Sequence, residues 1–214
     1  MNNKKVVIID YGHGNLYSIN QACKHLGYNP IISSSEEDII NADSLILPGV
    51  GAFKVAMDEL NNKNLIQPIK EFVKKGNYLM GVCLGMQLLF DSSEEFGKNE
   101  GLGLVEGEIK KFPSTYDNKK IRIPQIGWNN IFEEHNINKW ENSPLKEITK
   151  NDYLYFIHSY YATTKNSKFV LSYSDYEGIK YCSSVQKENV FGFQFHPEKS
   201  GEKGLTIYKN FLKL

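Results

Sequence analysis

The chain has 214 residues, with 25 Lys+Arg, 25 Asp+Glu and a formal net charge of zero at pH 7. A neutral chain lacks the general positive field that attracts nucleic acid or an anionic membrane, and no apolar run approaches the roughly 18 residues that a membrane span needs. A hydrophobic fraction of 41% and an aromatic fraction of 13% suit a packed globule and argue against disorder.

Cysteine and arginine are both scarce. Three cysteines, Cys23, Cys83 and Cys182, cannot form a disulfide framework, so we expect a reducing, cytoplasmic compartment. Arg122 is the single arginine. Because arginine supplies the planar fork that clamps phosphate, this chain is less suited to hold a phosphorylated substrate by itself.

Apolar runs alternate with helical spacing through the first 90 residues. The sequence predicts strands at 4–10, 30–32, 44–47 and 78–82 and helices at 16–26, 36–41, 53–60, 65–75 and 84–90. Ser34 with Glu37 is typical of a capping box before the second helix. Strands that alternate with helices indicate βαβ units, so we expect a mostly parallel central sheet flanked by helices.

The pattern changes after about Ser92. Strands are predicted at 107–112, 153–161, 169–174, 179–185 and 190–195, with tight turns at 176–178 and 187–189 and a closing helix at 203–212. The predicted fold class is therefore α/β, with antiparallel or mixed strands added to the parallel core in the C-terminal half. No linker or repeat divides the chain, so we expect a single domain over residues 1–214.

The segment Gly81-Val-Cys-Leu-Gly85 joins a predicted strand to a predicted helix and matches a nucleophile elbow with cysteine in the serine position. A sharp turn of this kind strains the backbone of the nucleophile and leaves no room for side chains two positions away on either side. It places Cys83 at a helix N-terminus, which favours the thiolate, and directs the Leu84 amide at a developing oxyanion. A small buried cysteine at a strand end is the alternative.

A cysteine nucleophile needs a base and a group that orients the base. His196 and Glu198 follow an aromatic strand and stand in a His-Pro-Glu sequence, where the carboxylate can reach the ring nitrogen that faces away from the sulfur. A metal site is the alternative, but this pair with one cysteine supplies too few ligands, so we expect no metal.

The remaining candidates have simpler interpretations. Cys23 and Cys182 are predicted to be core residues. His25 and His135 stand in polar contexts that indicate the surface, and His13 either lines a site or is exposed. For His158, which follows an apolar strand, a structural, hydrogen-bonded role is an even alternative to a functional one.

These motifs, in this order, resemble the class I (triad-type) glutamine amidotransferases over nearly the whole chain. A narrower resemblance is to the glutaminase subunits of imidazole glycerol phosphate synthase, from histidine biosynthesis. It rests on further motifs: Asp10-Tyr-Gly-x-Gly-Asn15, Leu47-Pro-Gly-Val-Gly-Ala-Phe53, Cys83 to Phe90, Gly127-Trp-Asn129, Phe156-Ile-His-Ser-Tyr160 and His196-Pro-Glu-Lys-Ser200. The resemblance implies a flavodoxin-like core and hydrolysis of L-glutamine to glutamate and ammonia without a cofactor.

The resemblance also implies roles for individual residues. Cys83 would form a thioester with glutamine, with His196 as base and Glu198 orienting it. The resemblance also implies an oxyanion hole formed by Leu84 with Gly49, Val50 and Gly51. The glutamine-binding residues that it implies are Gln87, Glu95, Ser159 and Tyr160. A (β/α)8-barrel cyclase subunit would receive the ammonia at an interface formed by Asn15, Trp128, Tyr155 and Lys199. A buried Trp128 in a glycine-tryptophan turn is the alternative for that residue.

Two positions depart from the family pattern. Gln125 stands where histidine is common, and His13 occupies a variable position of the first loop. Both leave room for a paralogue that feeds ammonia to an enzyme amidating a cell-surface sugar. A stand-alone cysteine hydrolase and a non-catalytic binding module are the alternatives of other classes.

Overall fold

A computed structural model describes residues 4–134 and 138–214. The helices are α1 (Leu16–His25), α2 (Glu36–Ile40), α3 (Phe53–Asn62), α4 (Ile66–Lys74), α5 (Leu84–Leu88) and α6 (Gly201–Leu212). The strands are β1 (Val6–Ile9), β2 (Ile31–Ser33), β3 (Ser44–Leu47), β4 (Tyr78–Val82), β5 (Phe90–Ser93), β6 (Asn99–Glu100), β7 (Val105–Lys111), β8 (Thr115–Tyr116), β9 (Lys119–Lys120), β10 (Gln125–Asn130), β11 (Tyr153–His158), β12 (Tyr160–Thr163), β13 (Val170–Tyr176), β14 (Ile179–Lys187) and β15 (Val190–Phe193). Short 3-10 helices lie at Lys139–Asn142, Ser167–Phe169 and Pro197–Lys199.

The large sheet has a parallel half and a mixed half. Strands β2, β1, β3, β4 and β15 lie side by side in that order, and each neighbouring pair is parallel. From β15 the sheet continues through β14, β12, β7, β5 and β6, mostly with antiparallel pairs, and β13 joins β14. The predicted α/β class, with a parallel core and added antiparallel or mixed strands, is confirmed.

Helices cover both faces of the sheet because its central strands are apolar on both sides. In β1 all four residues are buried; Val6 and Ile8 pack on one face, and Val7 and Ile9 on the other. Helices α1 and α6 contribute to the first cluster, while α2 to α5 contribute to the second. This arrangement is expected for parallel strands with crossover helices. Among the described residues, no helix is long and apolar enough to cross a membrane.

The structure corrects two predicted elements. The helix predicted at 84–90 ends at Leu88, and Phe90 begins β5. The capping box was wrong, because Ser35 rather than Ser34 occupies the N-cap position of α2 and makes no side-chain cap bond. Instead, the hydroxyl of Ser33 accepts a hydrogen bond from the Ser35 main-chain N–H at 3.0 Å.

The segment predicted as one strand at 153–161 is two strands in two sheets. Strand β11 pairs with β10 in a separate two-stranded ribbon, whereas β12 pairs with β7 and β14 in the large sheet. The change occurs at Ser159, between the two strands. Strand β10 was not predicted, because its Gly127-Trp-Asn129 sequence was interpreted as a turn; it pairs with β11 along its whole length.

Candidate active site

The backbone at Cys83 has the geometry of a nucleophile elbow. Cys83 has φ 53° and ψ −110°, directly between the end of β4 and the start of α5. A Cβ on Gly81 would lie 2.6 Å from the Gly85 carbonyl oxygen, and a Cβ on Gly85 would lie 1.9 Å from the Leu47 carbonyl oxygen. Both glycines are therefore required by close backbone contacts, as the sequence predicts.

The Cys83 thiol lies at the bottom of a cavity. The residue is 7% exposed, and its Sγ lies 3.8 Å from the Ile157 carbonyl oxygen and 3.8 Å from Nε2 of Gln194. Its main-chain N–H donates to the Phe193 carbonyl at 2.7 Å, which fixes the elbow against β15. The sulfur is held in place but remains accessible from the cavity.

His196 and Glu198 form a buried pair beside the thiol. His196 Nδ1 lies 2.8 Å from Oε1 of Glu198, whose side chain is completely buried. Among the described residues, His196 Nε2 has no hydrogen-bond partner. His196 and Cys83 line the same cavity, and the two groups interact electrostatically. Burial by itself lowers the pKa of His196, but the Cys83 sulfur and the Glu198 carboxylate together raise it above its ordinary value.

The loop at 49–51 packs directly against the elbow. A Cβ on Gly49 would lie 2.5 Å from the Gly85 main-chain nitrogen, so the two backbones touch. Gly51 has φ 98° and open space around it. Val50 and Leu84 line the same cavity as Cys83. The structure thus brings both predicted halves of the oxyanion hole to the nucleophile.

The cavity has a volume of about 350 Å³ and contains all four predicted glutamine-binding residues, Gln87, Glu95, Ser159 and Tyr160. Such a volume lies within the usual range for small-molecule sites. Gln87 Nε2 donates to the Tyr160 carbonyl at 2.9 Å. Glu95 Oε2 accepts the Phe53 main-chain N–H at 2.6 Å, which anchors this carboxylate at the start of α3.

Three of the four predicted interface residues lie together, and one of them, Lys199, lines this cavity. Trp128 is 56% exposed and contacts Tyr155 in an edge-to-face arrangement at 6.0 Å between ring centroids. The Lys199 Nζ lies 5.9 Å from the centroid of the Tyr155 ring. Asn15 differs, because its Nδ2 donates to Oε1 of Glu198 at 3.3 Å. The buried alternative for Trp128 is wrong.

Sequence reasoning missed Gln194, which has no exposed surface and lies beside the thiol. Its Oε1 accepts from Nε2 of Gln87 at 3.0 Å. The sequence contained one signal for this residue: a glutamine among the aromatic residues of a predicted strand, two positions before His196. A buried polar side chain needs a hydrogen-bond partner, so such a glutamine indicates a nearby polar group.

The other cysteines and histidines are now placed. Cys23 and Cys182 are buried, and burial raises the pKa of each thiol to about 12, which confirms their interpretation as core residues. His25 is exposed and His13 half-buried, while His135 lies outside the described residues. Within residues 4–134 and 138–214, no group of three His, Cys, Asp or Glu side chains could hold a metal ion.

Comparisons with known proteins agree over nearly the whole chain. Residues 7–214 match the family described as glutamine amidotransferase class-I. Imidazole glycerol phosphate synthase subunit HisH 1 of Legionella pneumophila (strain Lens) is 43% identical to this chain, and the match covers 98% of this chain and 99% of the relative's length. Subunit HisH of Geobacillus sp. (strain WCH70) is 45% identical, over 97% of this chain and 95% of its own.

A solved structure shows the same fold. The structure of PurLQS from Thermotoga maritima superposes with a TM-score of 0.72, covers 98% of both chains and is 19% identical. At that identity the likeness supports the fold alone. The family match and the sequence relatives identify the family as well as the fold. The chain belongs to the class I glutamine amidotransferase family and, within it, to the HisH subunits of imidazole glycerol phosphate synthase.

Proposed function

We propose that this chain hydrolyses L-glutamine to glutamate and ammonia through a thioester on Cys83. The observation that carries the proposal is the meeting of a strained elbow cysteine with the buried His196–Glu198 pair in one cavity. A cysteine, a histidine and a carboxylate in this order are the parts of a nucleophilic triad. A non-catalytic module has no chemical need for all three.

The geometry supports the following mechanism. His196 Nε2 takes the proton of the Cys83 thiol, and the sulfur attacks the side-chain amide carbon of glutamine. The tetrahedral intermediate collapses when the His196 imidazolium gives this proton to the leaving nitrogen, so ammonia departs and a γ-glutamyl thioester remains. A water molecule, deprotonated by His196, then cleaves the thioester, which releases glutamate and restores the thiol. Glu198 stabilises the imidazolium throughout.

The oxyanion is the charge that the site must stabilise most strongly. Donors that are already oriented at the developing charge are the largest single contribution in many enzymes of this type. We assign this role to the main-chain N–H groups of Leu84 and of the 49–51 loop. The open space around Gly51, with its positive φ, supports a loop that can reorient its peptide groups when a partner binds.

The partner we propose is a cyclase subunit with a (β/α)8 barrel that uses the ammonia to make imidazole glycerol phosphate. The curated relatives are named as subunits of imidazole glycerol phosphate synthase, which supports a second chain in the complex. The proposed contact surface comprises Trp128 and Tyr155, whose rings contact each other, Lys199, which lines the cavity, and Asn15, which contacts Glu198. The three cysteines are all unpaired, which suits the reducing cytoplasm that we propose for the complex.

The test is glutamate release from glutamine by the purified chain, alone and with the cyclase subunit of the same organism and its ribulosyl substrate. We expect strong stimulation by the partner and complete loss of activity in Cys83→Ala. Slow hydrolysis without stimulation contradicts the proposed partner and favours the sugar-pathway alternative. Absence of hydrolysis by the folded wild-type chain under both conditions contradicts the proposed activity.

A further inference from the structure

His158 lies in the aromatic cluster beneath the active site, and the mechanism above makes no use of it. It is 6% exposed, at the end of β11, and its ring centroid lies 5.4 Å from that of Phe112 and 5.8 Å from that of Phe156. Its Nδ1 lies 2.9 Å from the Tyr160 carbonyl oxygen. A carbonyl oxygen only accepts, so Nδ1 carries the proton and donates.

The other ring nitrogen, Nε2, faces the Tyr181 hydroxyl. Burial lowers the pKa of His158 to about 4, so at neutral pH the ring is uncharged and Nε2 carries a lone pair. This nitrogen lies 3.4 Å from the Tyr181 hydroxyl oxygen, and that hydroxyl donates its single proton to Oε1 of Gln125 at 2.9 Å. The hydrogen bond through which His158 can act is therefore the one that Nδ1 donates.

The Tyr160 carbonyl links His158 to the catalytic cavity. It accepts from Nδ1 of His158 and from Nε2 of Gln87, both at 2.9 Å. Because the carbonyl can only accept, the Gln87 amide must turn its nitrogen toward it. The second N–H of that nitrogen donates to Oε1 of Gln194, so Gln194 presents its own Nε2 to the Cys83 sulfur.

The segment that carries this carbonyl is the junction between two sheets. Ser159 separates β11 in the ribbon from β12 in the large sheet, and its carbonyl accepts the Phe112 main-chain N–H at 3.0 Å, next to the pairing of Tyr160 with Lys111. Ser159 and Tyr160 both line the cavity. The main-chain bond to Ser159 holds the preceding carbonyl, whereas the Tyr160 carbonyl is held by two side-chain donors, one of which is His158, the residue just before the junction.

We propose that His158 is a positioning residue, whose Nδ1–H fixes the Tyr160 carbonyl and thereby the Gln87 amide and the glutamine-holding main chain at Ser159 and Tyr160. The inference rests on the proposed glutaminase activity. His158 touches neither the substrate nor the sulfur; it acts through Tyr160.

Two substitutions separate hydrogen bonding from packing. His158→Phe keeps the ring in its aromatic surroundings and removes the donor. His158→Asn loses ring volume but keeps a nitrogen donor at the position of Nδ1. Tyr181→Phe is the control, because it removes the hydroxyl next to Nε2 and leaves the Tyr160 contact intact. Each full-length variant is assayed for steady-state glutamine hydrolysis under the conditions in which the wild type is active.

We expect His158→Phe to raise KM for glutamine about tenfold with kcat little changed, which corresponds to the loss of one hydrogen bond. His158→Asn should return KM toward the wild-type value, and Tyr181→Phe should leave it close to that value. A packing role predicts the opposite order, with phenylalanine better tolerated than asparagine. That order, or a wild-type KM in His158→Phe, overturns the inference.

Two further readouts keep the outcomes distinct. Alkylation of Cys83 by iodoacetamide should keep its rate and pH profile in His158→Phe, and a slowed alkylation at unchanged KM contradicts action through the substrate-holding main chain.

If His158→Phe does not fold, His158→Ala replaces it, and the inference then requires His158→Asn to have a lower KM than His158→Ala. An inactive wild type contradicts the proposed function, whereas an active wild type with the wrong order of variants contradicts only the role of His158.

Discussion

The main-chain N–H of His196 donates a hydrogen bond to the main-chain carbonyl of Tyr155 at 2.8 Å. Tyr155 lies opposite Trp128 in the β10–β11 ribbon, and the two rings contact each other. The main-chain N–H of Tyr155 in turn donates to the Ser200 hydroxyl at 3.0 Å, and that hydroxyl donates to the His196 carbonyl at 2.7 Å. A partner that contacts the exposed ribbon therefore contacts the backbone that holds the proposed base.

Replacing the proposed nucleophile should separate activity from folding. We expect Cys83→Ala to reduce glutamine hydrolysis by at least about a thousandfold, because no other cysteine among the described residues lines the cavity and loss of the nucleophile removes the covalent route. Glutamate release and a urea unfolding curve measure the two effects. The control is Cys23→Ala, a buried cysteine on α1, which should lose some stability and keep its turnover. Wild-type turnover in Cys83→Ala contradicts the assignment.

Removing the carboxylate charge beside His196 should shift the pH dependence of the thiol reaction. In Glu198→Gln the imidazolium loses its anionic partner, so the pKa of His196 falls and the ring takes up the thiol proton less readily. We expect the midpoint of the iodoacetamide alkylation profile to move to higher pH and the turnover at neutral pH to fall. Glu202→Gln, on α6 outside the pair, is the control. An unshifted midpoint argues against electrostatic coupling between Glu198 and the reacting pair.

The elbow glycines should be far less tolerant than a glycine in open space. In Gly85→Ala the new Cβ meets the Leu47 carbonyl oxygen at 1.9 Å, so the backbone must move at a cost of at least about 3 kcal/mol in the free energy of unfolding. Gly27→Ala introduces only a positive φ of 84° with no atom within 4 Å, which should cost about 1–2 kcal/mol. Urea denaturation compares the two, and equal costs would mean that the elbow is not tightly packed.

Shortening the exposed tryptophan should weaken partner binding without disturbing the isolated chain. Trp128→Ala removes an exposed ring from the proposed interface, and we expect a loss on the order of 2 kcal/mol, about 30-fold in Kd for the cyclase subunit. Tyr116→Ala is the matched control, since Tyr116 is an exposed aromatic on β8, in a different two-stranded sheet from Trp128 and outside the proposed contact surface. Titration calorimetry measures both variants. Equal affinity of Trp128→Ala and the wild type would place the interface elsewhere.

The buried neutral ring of His158 should make stability depend on pH below 6.5. The folded chain resists protonation of this ring down to about pH 4, whereas the unfolded chain binds a proton near pH 6.5. The unfolded state therefore binds more protons between these values, and the free energy of unfolding decreases as the pH falls through this window, by on the order of 3 kcal/mol. His158→Phe has no titrating group there, so its urea unfolding curves should change less between pH 7 and pH 4.5. Parallel losses in both chains would contradict a buried neutral His158.

The sequence predicted the parallel half of the fold and the triad because both depend on local patterns. Apolar strands such as Ser44–Leu47 and Tyr78–Val82 were placed at their observed bounds, since a strand buried on both faces appears as a continuous apolar run. The spacing of Gly81, Cys83 and Gly85 predicted the elbow because the collision at Gly81, with the Gly85 carbonyl, lies within one turn of chain. The collision at Gly85, with the Leu47 carbonyl on β3, depends on the tertiary structure.

The mixed half was predicted less well because its elements depend on distant partners. Strand β10 contains the Gly127-Trp-Asn129 sequence, which is typical of a turn, and only its pairing with β11 identifies it as a strand. The segment 153–161 reads as one apolar run, but its two halves find different neighbours on either side of Ser159. Local patterning cannot indicate a change of sheet, because the strand period is the same on both sides.

By itself, the sequence determined the α/β class and the need for glycine at position 81, and it predicted Cys83, His196 and Glu198 as the triad, because short-range sterics and chain order contain that information. Only the tertiary structure decided that Asn15 donates to Glu198, that Gln194 faces the thiol, and that His158 holds the Tyr160 carbonyl. Each of these contacts joins residues from different elements or across a junction between sheets. Their directions depend on how the sheets pack, and a linear pattern does not specify that packing.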